Sequence, residues 1–401
     1  MNLLIDGIEQ RFVEKTSLTR KITIDGITKA YPVWKVRIDK LFYNDQNDRI
    51  ATWISQYKYE NDGKMVDSSN REEYNSIIEK FIIESNPDAI KKTQNNIELV
   101  DQREPGVVLT DGRIIDGNRR FTCLRRLASK NDRFKYFEAV ILEHNYENSA
   151  KQIKMLELAI QHGEESKIGY APIDRLVGIY NDIIDTKLLT EEEYSKSTTE
   201  PLSEIKKKVE LANLMVEFLE FINAPKQFHI ARELQIFSSL EELQKLINKC
   251  HSEDEKEDLK ICVFNNILML SSGDIAKFIR NFKNIIGSEY QETFLEEQRE
   301  LAEKSLEKIL PDAKVDTSYI RDVIRDEAIA EEIQRSTEKA LTKVKKDETR
   351  SRPIQLAEKA TILLNEIDVN IIAKMNDSEI LRLKKQLEKL DKTIKEIEEK
   401  L

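Results

Sequence analysis

The stretch Thr110-Asp111-Gly112-Arg113-Ile114-Ile115-Asp116-Gly117-Asn118-Arg119-Arg120-Phe121-Thr122-Cys123-Leu124 holds two turns and the start of a helix. Asp111-Gly112 signals a hairpin, because glycine takes positive φ without steric cost. The apolar run Gly106-Val107-Val108-Leu109 precedes it and Ile114-Ile115 follows it, so a short strand is expected on each side. Asp116-Gly117 ends the second strand. From Arg119 onward the period becomes helical, with Leu124, Leu127 and Ala128 on one face.

A strand, then Asp-Gly-Asn-Arg-Arg, then a helix has the parts of an anion site. Gly117 lets a ligand approach the backbone closely. The first helical amides lack intrahelical acceptors and share the positive end of the helix dipole. Arg119 and Arg120 add planar donor forks that match phosphate oxygens. Asp116 has three roles open to it: holding a metal-bound water, accepting a hydroxyl proton, or capping the turn. The competing reading is a solvated basic helix start with a capping aspartate.

Outward from this stretch, residues 1–60 carry β-type segments. Lys21-Ile22-Thr23-Ile24-Asp25 and Val33-Trp34-Lys35-Val36-Arg37-Ile38 alternate with period two. Residues 61–70 read as a loop, and 71–84 as a helix with Tyr74, Ile77, Ile78, Phe81 and Ile82 on one face. A shorter helix covers about 86–101, and Ala139–Leu142 reads as a strand. Almost everything after residue 150 reads as helix, interrupted late in the chain only by Pro311 and Pro353. The fold class expected is α+β at the N-terminus followed by a mostly α-helical remainder. The domains expected are 1–150, 151–287 and 288–401. In 377–401, Ile380, Leu383, Leu387, Leu390, Ile394, Ile397 and Leu401 follow the alternating three-four spacing of a coiled-coil seam. A homodimer or a partner helix on that seam is one expectation; an amphipathic helix packed on its own domain is the other.

The quoted stretch resembles the ParB family segment that ends in Gly-Glu-Arg-Arg and an arginine-bearing helix. Ile97–Val108 is similar to that family's short helix, Gln-Pro turn and following strand. Ile38-Asp39-Lys40-Leu41, with Asn44 to Arg49 after it, resembles its first box. The resemblance to the ParB/sulfiredoxin superfamily covers roughly 30–145 and implies a small mixed sheet with helices. It also implies that Gly117, Asn118, Arg119, Arg120 and Thr122 hold the phosphates of CTP or ATP, with Asn47 and Arg49 across the pocket and Mg2+ as a possible companion. Asn118 stands where ParB has Glu, and Thr122 where it has Arg. At the third phosphate box the nearest match is Leu158-Ala159-Ile160-Gln161-His162, with Glu157 just before it. The sulfiredoxin reaction uses a cysteine inside the turn, where this chain has Asn118, so that activity is not expected. The Asp-Gly form of the turn is also similar to the superfamily branch with free-serine kinases and DNA-modification-linked proteins.

Tyr170-Ala171-Pro172-Ile173-Asp174-Arg175-Leu176 looks like the entry to the ParB helical domain. Residues 189–222 look like a helix-turn-helix. Thr190 and Glu193 form a capping-box pattern, Thr198–Ser203 supplies the turn, and Ser203 caps a second helix from Glu204 to about Ile222. In a DNA-binding reading, Ser203, Lys206, Lys207 and Lys208 meet the groove or its phosphates. In the alternative, the lysines are the solvated face of a structural domain, and Glu191, Glu192, Glu200, Glu204 and Glu210 weaken their field.

The chain has 401 residues and a net charge of −10, so nucleic-acid binding requires a local basic face. Three scattered cysteines point to a reducing cytoplasm rather than a disulfide framework. No membrane span or signal peptide is expected. His144, His162, His229 and His251 lack metal-ligand spacing, so no metal centre of protein ligands is expected, and no P-loop is present. Cys123 is expected to pack. The leading expectation is a nucleotide-responsive DNA-binding protein. An enzyme, either phosphotransferase or nuclease, using Asp116 or Glu157 is the second. A scaffold with a vestigial anion site is the third.

Overall fold

The computed structural model describes residues 2–24, 27–143, 146–163, 171–271 and 274–401. Met1–Thr337 forms one compact unit and Glu338–Leu401 a second.

Five strands make one mixed sheet in the order β1-β2-β5-β3-β4. β1 (Val13–Ile24) and β2 (Ile27–Arg37) form a long antiparallel hairpin, and β3 (Gly106–Leu109) and β4 (Ile114–Asp116) a short one. β5 (Tyr136–Leu142) lies between them, antiparallel to β2 and parallel to β3. Alternation along the strands sorts their side chains onto two faces. Val108, Ile114, Phe137, Ala139 and Ile141 share a core with Ile78, Ile97 and Phe121 from the helices Arg71–Ser85, Pro87–Val100 and Asn118–Ala128. Val107, Leu109, Ile115, Val140 and Leu142 face Ile153, Leu156 and Ile160 of the helix Tyr146–Gly163. β3 is covered on both faces, so it reads as an unbroken apolar run rather than an alternating one. The sequence thus folds into an α+β N-terminal part and a mostly helical remainder.

The structure departs from the sequence reading at three places. Ala51–Glu60 is a helix, although Thr52, Trp53, Ile54, Tyr57 and Tyr59 favour strands. Tertiary contacts override that preference: the Arg232 guanidinium lies 3.8 Å from the Trp53 ring centre and donates to Thr52 Oγ1 and Gln56 Oε1, each at 3.1 Å. The second helix of the helix-turn-helix candidate runs Leu202–Phe221 with Pro201 as N-cap, so Ser203 lies inside its first turn rather than capping it. The helix Glu327–Asn365 continues through Pro353. Proline leaves the carbonyl four residues earlier without its helical donor, and at this exposed site water can satisfy it.

The turn Asp48–Ile50 leads into the helix Ala51–Glu60, which packs on the helix Pro172–Ile179. Thr52 Oγ1 donates to Asp174 Oδ1 at 2.6 Å. A Cβ on Gly178 would stand 2.4 Å from Asp48 Cγ. The close approach of these segments therefore requires glycine. Gly178→Ala is expected to destabilise the protein by about 1–3 kcal/mol, read as a lower urea midpoint; an unchanged midpoint contradicts the contact.

Candidate functional site

Gly117 has φ +99° and ψ 17°, a left-handed conformation, and is the N-cap of the helix Asn118–Ala128. Space adds a second demand for glycine. A Cβ there would lie 2.8 Å from Phe137 Cζ, and one on Gly106 would lie 2.3 Å from the same atom. The Phe137 ring thus fills the room that two side chains would need. The first helical bond runs from Phe121 N to Gly117 O at 2.9 Å. The amides of Asn118, Arg119 and Arg120 precede that ladder, and no side chain caps them.

The residues that carry these amides line a cleft of about 440 Å³. Asn47, Arg49, Asp116, Gly117, Asn118, Arg119 and Arg120 all line it. The segment carrying Asn47 and Arg49 is brought there by the edge of β4, since Phe42 N donates to Gly112 O at 3.0 Å and Ile114 N to Phe42 O at 2.9 Å. Arg49, Arg103, Arg119 and Arg120 outnumber Asp116 and Glu104 in the lining, so the cleft is cationic within an acidic chain.

Asp116 is mostly buried, and its Oδ2 receives Arg20 Nη1 at 2.9 Å and Arg120 Nη2 at 3.2 Å. Arg120 also reaches Glu104 at 3.2 Å. The carboxylate thus fixes arginines. Two buried polar atoms at the turn, Asn118 Oδ1 and Arg120 Nε, have no hydrogen-bond partner.

Gln102 and Arg103 belong to the cleft but escape the sequence reading as site residues. Gln102 is clamped to β5, donating to Glu138 O at 2.7 Å and accepting from Glu138 N at 2.9 Å. Asp101 before it takes φ 58° and ψ −173°, a conformation almost confined to glycine. That strain is the local signal of a held position, and sequence does not display it.

Two candidates lie elsewhere. Thr122 is fully buried, with its hydroxyl 2.8 Å from that of Tyr43, so it braces the helix from behind. Glu157 is buried beside Asn44 Nδ2 at 3.2 Å and Lys154 Nζ at 3.9 Å, away from the cleft lining. Cys123 packs against the helix Pro87–Val100, donating to Ile90 O at 3.6 Å, and burial pushes its thiol up to about 12.

Lys154 centres an ionic cluster behind the Asn47–Arg49 segment. Its ammonium is 2.7 Å from Asp48 Oδ1 and 3.4 Å from Asp182 Oδ2, and it donates to Gln46 O at 3.0 Å. Burial pulls this lysine down, but Asp48, Glu157 and Asp182 together hold it well above its ordinary range. Burial pushes the Asp182 carboxyl up to about 7, with Asp48 adding to the rise and Lys154 opposing it. Burial likewise pushes Asp174 up to about 6.

The capping box at Thr190 and Glu193 forms. Ser203, Lys206 and Lys207 are exposed on the helix Leu202–Phe221. Lys207 pairs with Glu204 at 2.8 Å and Lys208 with Glu200. Glu204, Glu210 and Glu220 are exposed on the same helix, so the lysine triplet makes no strongly positive face. Tyr170 and His144 lie outside the described residues. Among the described residues, no group of three His, Cys, Asp or Glu is arranged to hold a metal ion, and no helix is long and apolar enough to cross a membrane.

No protein-family model matches the chain, and no curated protein matches it.

Asp174 and Asp182 bind protons more readily folded than unfolded. Their contribution is most favourable below about pH 4, the ordinary carboxylate range, and is lost as pH rises through about 6 to 7. Asp182→Asn is therefore expected to raise the thermal midpoint more at pH 8 than at pH 5, relative to wild type. An equal change at both pH values contradicts the burial of an ionising carboxyl there.

Proposed function

We propose that the cleft binds a nucleotide, with its phosphates on the Asn118–Arg120 amides and its sugar and base toward Ile50, Ile82, Ile97, Thr93 and Asn96. The observation that carries this reading is the convergence on one cleft of a left-handed Gly117, a first helical turn without a side-chain cap, and four arginines. Helix N-termini and arginine forks recognise phosphate by dipole and by geometry. The volume suits a nucleotide-sized ligand. The resemblance of Thr110–Leu124 to the ParB/sulfiredoxin turn supports the same class of ligand, CTP and ATP first.

Binding rather than turnover is proposed. Asp116 is occupied by Arg20 and Arg120, and Glu157 lies in the Lys154 cluster. Neither is offered to a metal or an attacking hydroxyl at the phosphates. DNA binding is not part of this reading, because Lys207 and Lys208 are paired with glutamates.

Calorimetric titration with CTP and ATP, with and without Mg2+, tests the proposal. Binding is expected, and Arg119→Ala and Arg49→Ala are each expected to weaken it about 10–100-fold, the value of a charge-assisted bond of roughly 1.5–3 kcal/mol. Absence of binding by either nucleotide, or unchanged affinity in both variants, sinks it.

A further inference from the structure

The Arg120 guanidinium lies against the face of Gly117: a Cβ on that glycine would stand 3.3 Å from Nη2 and 3.4 Å from Nε. Both terminal nitrogens meet carboxylates, Nη2 that of Asp116 and Nη1 that of Glu104, each at 3.2 Å. The two partners are not equivalent. Asp116 has 7% of its side chain exposed and also receives Arg20 Nη1 at 2.9 Å. Glu104 has 82% of its side chain exposed. Water can take up the Glu104 carboxylate at little cost, since exposed ion pairs are weak. Asp116 is already desolvated and keeps Arg20 whatever Arg120 does.

An exposed glutamate is ordinarily free to sample many positions, but the backbone beneath this one is fixed on both sides. Asp101 turns the chain with φ 58° and ψ −173°. Strain of this kind persists where the surrounding structure holds it. Gln102 Nε2 donates to Glu104 O at 2.9 Å as well as to Glu138 O on β5. Arg20 Nη1 donates to Pro105 O at 2.6 Å while it pairs with Asp116. One arginine therefore anchors both the carboxylate behind Arg120 and the residue that follows Glu104. The segment so held carries Glu104 into the cleft lining with Arg120. A carboxylate and a phosphate offer the same kind of anionic oxygens to an arginine fork, so each can take the place of the other there.

We propose, on the reading of this cleft as a phosphate site, that Glu104 is an internal competitor for Arg120. Without a ligand its carboxylate holds Nη1. A bound nucleotide replaces it there with a phosphate oxygen, while Asp116 keeps Nη2. Asp116 thus aims the guanidinium, and Glu104 holds the affinity of the cleft below what its arginines alone would give.

Calorimetric titration of the full chain with CTP and with ATP tests the competition. Glu104→Gln is expected to bind about fivefold tighter than wild type, the upper range for release of an exposed ion pair. Glu104→Asp keeps the charge but draws the carboxylate back from Arg120, and is expected to give part of the same gain. In a chain that already carries Arg120→Gln, which retains much of the side-chain stem over Gly117, adding Glu104→Gln is expected to change nothing. Wild-type binding with Glu104→Gln unchanged or weaker overturns the competition and leaves the nucleotide reading standing. A gain that persists with Arg120→Gln also overturns it, because Glu104 then acts only as a repelling charge. A wild type that binds neither nucleotide sinks the nucleotide reading, and the competition with it, before any variant is made.

Discussion

The ring of Phe137 is the constraint on which the cleft depends. It stands where side chains at 106 and 117 would be, so β3 and the turn that follows β4 must each carry glycine against it. The ring also meets Phe121 edge-on at 5.9 Å, and Phe121 meets Tyr43 at 4.9 Å. One aromatic stack thus joins β5, the first turn of the helix Asn118–Ala128 and the base of the segment bearing Asn47 and Arg49. Edge-to-face pairs of this kind add about 0.5–1.5 kcal/mol each beyond their burial. Their larger consequence here is positional. They hold the left-handed turn, the open amides and the opposing wall in one arrangement before any ligand arrives, which lowers the ordering cost of binding.

The far wall rests on a different kind of interaction. Asp48 points back into the fold, where Lys154 and Gly178 receive it, while its neighbours Asn47 and Arg49 line the cleft. Three carboxylates around one buried ammonium carry an excess of negative charge, and burial answers by raising the proton affinity of Asp182. Removing the Lys154 ammonium would leave the buried carboxylates uncompensated, so the arrangement is costly to break there even if it adds little net stability. Its value lies in fixing a short segment between the sheet and the helices behind it.

The legible parts of this molecule are those whose cause is local. The Asp111-Gly112 hairpin, the left-handed Gly117 and the Thr190–Glu193 capping box each follow from a few adjacent residues. The alternation in β2 and the helix over Arg71–Ser85 are legible for the same reason. The rest depends on contacts between distant positions. Asp48 and Lys154 are 106 residues apart, and Thr52 and Asp174 are 122 apart. No pattern in either neighbourhood announces a meeting. Glu157 shows the converse: its position beside a recognisable segment suggests a role at the phosphates, whereas its burial beside Lys154 assigns it to the support. The lysine triplet reads as a basic patch until Glu200 and Glu204 are placed beside it.

The cleft is a preformed phosphate cradle in this account, and a crystal structure of the protein soaked with a nucleoside triphosphate tests that most directly. The account predicts phosphate oxygens within hydrogen-bond distance of the Asn118 and Arg119 amides, with Arg49 approaching from the opposite wall and the aromatic stack unmoved. A nucleotide bound elsewhere, or one held in the cleft with its phosphates turned away from those amides, would contradict it.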